Sequence, residues 1–232
     1  MTTDDEGGVP SGAPGGPRVL FVYYTLSQQA RRVAKAMTAT FRTEGCEVTE
    51  AVIEFTDKRY VKQFNHFPWK HAVFGVVRML PAQLRRATGE IQIPEAATSG
   101  DYDLVVVGSP TWWLTMSMPM RSFLESPEAD TLLAGTKFAG YVVCRRYWGN
   151  NIKTVKRLGT KRGGVYLDGL HFAYAGGQVR SLLSLISYMG TGEYRERFLG
   201  IKIPPTNLKP DYEELSAMFA RGLAASVAGS TT

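Results

Sequence analysis

Apolar and polar positions along this chain alternate between two periods. Val19 to Tyr24 is a β-branched, aliphatic and aromatic run behind Arg18, which reads as a strand. The following stretch, Gln28 to Phe41, sets Ala30, Val33, Ala34, Met37 and Phe41 on one helical face with Arg31, Arg32 and Lys35 opposite. The alternation continues. A second strand is predicted over 47–55 after the Gly45 turn, and a third over 103–108, whose Leu104 to Val107 core is apolar on both faces as buried parallel strands are. A helix from Ser117 or Met118 to Ser126 tolerates Pro119 in its first turn. The pattern then predicts a fourth strand over 137–144 and a helix over 150–161 with Asn150 as its cap and Ile152, Val155 and Leu158 facing inward. A fifth strand begins at 164–167. A closing helix over 211–224 is amphipathic on Tyr212, Leu215, Met218, Phe219 and Leu223. Strands alternating with helices predict a doubly wound α/β domain around a five-stranded parallel sheet.

Two stretches exceed what simple crossovers need. Thr56 to Gly100 carries Phe64, Phe67, Trp69, Phe74 and Met79 among seven Lys or Arg. It reads as a lid with apolar walls suited to a lipophilic acceptor, as a segment resting on an anionic membrane surface, or as a packed subdomain or dimer contact. Gly176 to Pro210 carries Leu182, Leu183, Leu185 and Ile186, and its 182–189 face could serve an interface in a homo-oligomer. The domain is expected over 18–226, with disordered tails at 1–17 and 227–232.

Composition adds constraints. The 232 residues are 44% hydrophobic, enough for one sizeable core. Cys46 and Cys144 form no disulfide framework, so a reducing, cytoplasmic setting is expected, with a peripheral place at a membrane left open. Met1 to Pro17 lacks the basic and apolar regions of a signal peptide, and no apolar run reaches the roughly 18 residues of a membrane span. The formal net charge is +6, but residues 18–232 hold 27 basic against 18 acidic residues, a formal +9. Such a body attracts anions. From Arg145 to Arg162 there are seven cations and no acid. That run suits the ribose phosphate of NADPH, an acidic partner or an anionic membrane surface, or else forms a solvated helix face. No nucleic-acid-binding motif accompanies the charge. His66, His71 and His171 lack a metal-ligand pattern, and Gly-x-Ser-x-Gly, Walker and Gly-x-Gly-x-x-Gly runs are absent.

The chemistry concentrates at two strand ends. Thr25 and Ser27 precede a helix whose first N–H groups lack partners, a combination that either binds phosphate or merely caps the helix. Pro110, Thr111, Trp112 and Trp113 follow the third strand. In an open parallel sheet, ligands bind at such carboxyl ends, and the two indoles either suit a flat ring or are core or interface residues.

The run from Gly108 to Glu125, GSPTWWLTMSMPMRSFLE, resembles the flavin-ring loop and helix of the flavodoxin superfamily, including its quinone reductases. Tyr24 to Ala30 is similar to that superfamily's phosphate loop. The resemblance implies FMN, with Thr25, Ser27, Gln28, Gln29 and Ala30 at the phosphate and Ser109, Pro110, Thr111, Trp112 and Trp113 along the isoalloxazine. It also brings the loop of Arg145, Arg146, Tyr147, Trp148 and Gly149 to the pyrimidine edge. Gln28 stands where the superfamily usually has glycine, and Arg145 and Arg146 where small residues are usual. An Arg there can pair with phosphate, or the turn is simply basic and solvated. The implied activity is an FMN-dependent oxidoreductase that passes reducing equivalents from NAD(P)H to a quinone or other lipophilic acceptor, with no catalytic side chain required. A flavodoxin-type electron carrier and a flavin-free binding module are the alternatives.

Overall fold

The computed structural model describes residues 15–60, 67–68, 72–98, 101–174 and 176–228. Most of the expected N-terminal tail, together with Phe64 and Trp69, lies outside these residues. Five parallel strands, β1 (Arg18–Tyr23), β2 (Glu47–Val52), β5 (Leu104–Trp112), β7 (Lys137–Cys144) and β8 (Val165–Ala173), form the main sheet in the order β2-β1-β5-β7-β8. The register is continuous from Val19↔Leu104 to Tyr23↔Gly108 across β1 and β5, and from Leu104↔Lys137 to Pro110↔Val143 across β5 and β7.

Both faces of this sheet are covered, as the two-sided apolar strands require. On one face Val19, Phe21, Tyr23, Leu104 and Val106 pack with α1 (Gln29–Thr43) and α7 (Tyr212–Ala228). On the other, Leu20, Val22, Val105 and Val107 pack with α3 (Met118–Leu124), α4 (Pro127–Leu133) and α5 (Trp148–Lys161). Each fully buried aliphatic or aromatic side chain contributes about 1.5–3 kcal/mol, so the paired faces bind the layers together.

Several elements depart from the expectation. The second strand does not run unbroken to Phe55. It leaves the main sheet after Val52, and β3 (Glu54–Phe55) pairs antiparallel with β4 (Ile91–Gln92), closing the neck of the first insertion. The third strand runs four residues beyond Gly108 and pairs with β6 (Thr115–Met116) as a hairpin. The helix at 150–161 starts earlier, at Trp148, with Tyr147 rather than Asn150 at the cap. Asn150 instead donates from Nδ2 to the Leu114 carbonyl at 3.4 Å. The closing helix extends to Ala228 and buries Ser216, Ala220, Leu223, Ala224 and Val227. Val227, expected in the tail, is therefore core, while Leu215 and Met218, expected inward, are exposed. α4 was not expected from the pattern; Ser126 caps it by accepting from the Ala129 N–H at 3.4 Å.

Each insertion contributes a helix: α2 (Ala72–Leu84) from the first and α6 (Gln178–Thr191) from the second. The second also holds the hairpin β9 (Arg197–Phe198) and β10 (Ile201–Lys202). α2 and α6 touch each other, above the carboxyl ends of β1, β5 and β7.

A close approach fixes those ends. A Cβ on Gly108 would sit 2.2 Å from the Tyr141 ring. The absence of that carbon lets Tyr141 cross β5 and donate its hydroxyl to the Ala30 carbonyl at 3.1 Å. Strand β7 is thereby tied to the start of α1.

Candidate functional site at the carboxyl edge of the sheet

Beyond β1 the chain turns through 25–28 and enters α1. Gln28 adopts a left-handed conformation, φ 62° and ψ −2°. Glycine enters that region freely, whereas another residue pays about 1–2 kcal/mol. The turn therefore keeps the shape that glycine would favour, and the Gln28 side chain points away to accept from Arg31 at 3.5 Å. The first N–H groups of α1 have no intrahelical acceptor, and they carry the positive end of the helix dipole. Thr25 Oγ1 is buried without a hydrogen-bond partner, and Thr25 lines the same cavity as Gln29 and Ala30 at the start of α1. Gln29, also buried, donates from Nε2 to the Tyr194 hydroxyl at 3.1 Å and leaves Oε1 unpartnered.

The second wall is the β5–β6 hairpin, with Trp113 at φ 57° in its turn. Asn151 of α5 holds it from below. Its buried Nδ2 donates to Thr111 Oγ1 at 3.0 Å and reaches Ser109 Oγ at 3.3 Å. Trp112 stands edge-on to Tyr24 and Phe55, with centroids 5.5 and 6.3 Å away. Gln83 of α2 clamps the hairpin from the other side, its Nε2 lying 3.4 Å from the carbonyls of both Trp112 and Met116. Because those two carbonyls engage the amide nitrogen, Oε1 is fixed as an acceptor, and it is buried and unpartnered.

The third wall follows β7. Arg145 donates from Nη1 to the Gln178 carbonyl at 2.6 Å, joining this loop to α6. Burial lowers its pKa, with Arg146 adding repulsion, so an anion nearby is favoured. Burial also pushes the Cys144 thiol up to about 12, which leaves it protonated and unreactive at neutral pH. Burial raises Tyr174 well above the ordinary tyrosine value.

These walls enclose a cavity of about 130 Å³. On the same measure one water needs only about 10–15 Å³, so the space suits an organic ligand. Thr25, Ser27, Gln29, Ala30, Pro110, Thr111, Trp112, Trp113, Arg145 and Arg146 all line it. Five other expected residues do not. Gln28 shapes the turn from outside, and Ser109 is fully buried beneath the hairpin. Tyr147 adopts φ 62° and its hydroxyl accepts from Gln178 at 2.8 Å. Trp148 stacks on His171 at 3.8 Å. Trp148 and Gly149 form the first turn of α5 and do not line the cavity.

The insertions supply lining that the motifs did not mark. Met79 and Gln83 come from α2, and Leu182, Leu185 and Met189 from α6. The apolar spacing 182, 185, 189 is a helical signal legible in sequence. Nothing local marks Gln83, whose partners lie 29 and 33 residues onward. The site thus joins a polar end at the start of α1 and the cationic loop after β7 to an apolar slot between Trp112, Trp113 and the two inserted helices.

No family model matches the chain. No curated protein matches it in sequence. Among solved structures, it is similar to oxidised flavodoxin 2 from Bacillus cereus at 14% identity, covering 90% of this chain and 99% of that one with a TM-score of 0.50. It is similar also to rubredoxin:oxygen oxidoreductase from Desulfovibrio gigas at 12% identity, covering 91% of this chain and 37% of that one, again at 0.50. The fold is flavodoxin-like, carrying two insertions that add small sheets and helices.

Proposed function

We propose that this protein binds FMN in the carboxyl-edge cavity and passes reducing equivalents from NAD(P)H to a quinone or similar lipophilic acceptor. The observation that carries the reading is the pairing of an unpartnered buried hydroxyl with an apolar slot in one cavity. Thr25 Oγ1 and the first amides of α1 are donors without acceptors. A phosphomonoester supplies acceptors with the charge that a helix N-terminus favours. Trp112, Trp113 and Pro110 supply faces for a flat ring at the other end. The donor set fits FMN.

Bound flavin supplies the hydride and electron chemistry. The chain's part is to orient and enclose. Asn151 and Gln83 hold the Trp112–Trp113 hairpin from opposite sides, which presets the slot before a ligand enters. Gln83 Oε1 offers a fixed acceptor to an N–H or O–H on the ring or on a reduced acceptor molecule. Arg145 and Arg146 place positive charge at the mouth, suited to a nicotinamide nucleotide's phosphates.

The covering helices favour an enzyme over a carrier. A carrier that exchanges electrons through protein docking gains from an open ring edge, whereas α2 and α6 place Met79, Leu182, Leu185 and Met189 around this cavity. Such walls select small apolar acceptors. The test is oxidation of NADH and NADPH by the purified FMN-loaded protein with a soluble quinone. Steady turnover supports the enzyme. A flavin-loaded protein that neither nucleotide reduces supports the carrier.

A further inference from the structure

The two faces of α2 are both apolar, and among the described residues only one packs inward. Met79 and Gln83 line the cavity, with buried Gly75 on the same side. Opposite them, Phe74, Val77, Pro81 and Leu84 form a stripe at helical spacing that faces solvent; Phe74 is 74% exposed, Val77 59% and Leu84 60%. Arg78 and Arg85 lie on this same face, and Arg86 follows the helix end, all three exposed. Isolated exposed apolar residues are ordinary, but a contiguous stripe marks a contact surface.

We infer that this face of α2 docks on an anionic lipid surface and sets the cavity against the membrane. Charge complementarity selects the occupant. From Lys58 to Arg86 the sequence holds seven Lys or Arg and no acid. α2 has no carboxylate to repel lipid phosphates, and three guanidinium groups border its apolar stripe. Helices that lie in the membrane interface combine these features, with the apolar side chains sinking among acyl chains and the cations meeting headgroups. A second copy fits less well, because a two-fold contact through this stripe brings the arginines of both copies together. Among the described residues no helix is long and apolar enough to cross a membrane, so the contact is peripheral.

The lipid contact stands on this helix alone, and only its purpose rests on the proposed function. Lying one helix thickness from the bilayer, the cavity would take a lipophilic acceptor without its passing through water.

The experiment is sedimentation of the full chain with phosphatidylcholine vesicles, with and without a fraction of phosphatidylserine, and needs no flavin turnover. The wild type is expected to pellet with the anionic vesicles, to stay in solution with the neutral ones, and to release in high salt. Phe74→Ser with Leu84→Ser should cut the bound-to-free ratio by at least about tenfold, and Arg78→Gln with Arg85→Gln and Arg86→Gln should do likewise. Met218→Ser, at an exposed apolar residue of α7, should change nothing. The inference is overturned if the wild type stays in solution with anionic vesicles, binds neutral vesicles equally, or binds undiminished after the α2 changes. Sedimentation velocity showing a dimer that Phe74→Ser dissociates would overturn it too, in favour of a second copy on the stripe.

Discussion

Thr25 makes the sharpest claim at the scale of single residues. Its hydroxyl is buried and unpartnered, in a residue that shares the cavity lining with the start of α1, so Thr25→Val should leave the fold intact. It should weaken FMN binding about ten- to hundredfold, the usual worth of a hydrogen bond to a charged group. A fluorescence titration measures it, and unchanged affinity would place the phosphate elsewhere. Trp113→Ala should likewise weaken FMN with little loss of stability, while Trp112→Ala should lose both, because Trp112 also packs on Tyr24 and Phe55. The polar end was legible because hydroxyls stood directly before a helix start. The run 147–149 lies off the cavity lining for an equally local reason. Asn150 looks like a cap, yet the helix begins two residues earlier on a left-handed Tyr147, which swings Trp148 onto His171.

At the scale of elements, the sheet was readable in its three central strands, β1, β5 and β7, because strands buried on both faces are apolar throughout. Its edges were not. The extension of β5 through Pro110 to Trp112 carries the residues of a turn, and only the pairing with β7 and β6 makes it strand. The closing helix shows the same limit: Leu223 is buried and Tyr212 and Phe219 pack on the core as expected, but the small residues Ser216, Ala220 and Ala224 also face inward while Leu215 and Met218 do not. Gly108→Ala tests the coupling of β5, β7 and α1. A methyl 2.2 Å from the Tyr141 ring should destabilise by at least about 1–3 kcal/mol in chemical denaturation, and no loss would contradict the tie. Asp57 tests the neck of the first insertion. It accepts from the Arg59 side chain and from the backbone N–H groups of Arg59 and Glu90, and the Arg59 hydrogen bond holds its carboxyl down at about 2. A depressed carboxyl stabilises above its ordinary value of 3.8, and that support fades as pH falls from there toward 2. Asp57→Asn should therefore narrow the stability gap to wild type below about pH 4; a gap that stays constant into acid would assign the effect to something other than this charge.

For the molecule as a whole, buried phenols and thiols set an alkaline limit. Burial raises Tyr23 and Cys144 to about 12, and it raises Tyr24, Tyr141 and Tyr174 as well. Groups raised in the folded state stabilise below their ordinary values, 10.0 for Tyr and 9.0 for Cys, and that contribution disappears as pH climbs. Unfolding should thus become steeply easier above about pH 10, and both thiols should resist alkylation until it occurs; a thiol that reacts rapidly in the folded protein near neutral pH would contradict their burial. The insertions belong to this scale as well. Their position in the sequence was plain, but their convergence over one cavity depends on contacts between α2 and α6, across about a hundred residues. The visible absorption spectrum of the purified protein, taken before and after adding FMN and desalting, tests the central claim most directly. Retained oxidised-flavin bands, lost or weakened in Thr25→Val, are the predicted result. A protein that stays colourless after FMN is added would contradict the account and leave a flavodoxin-like fold whose cavity serves another anion.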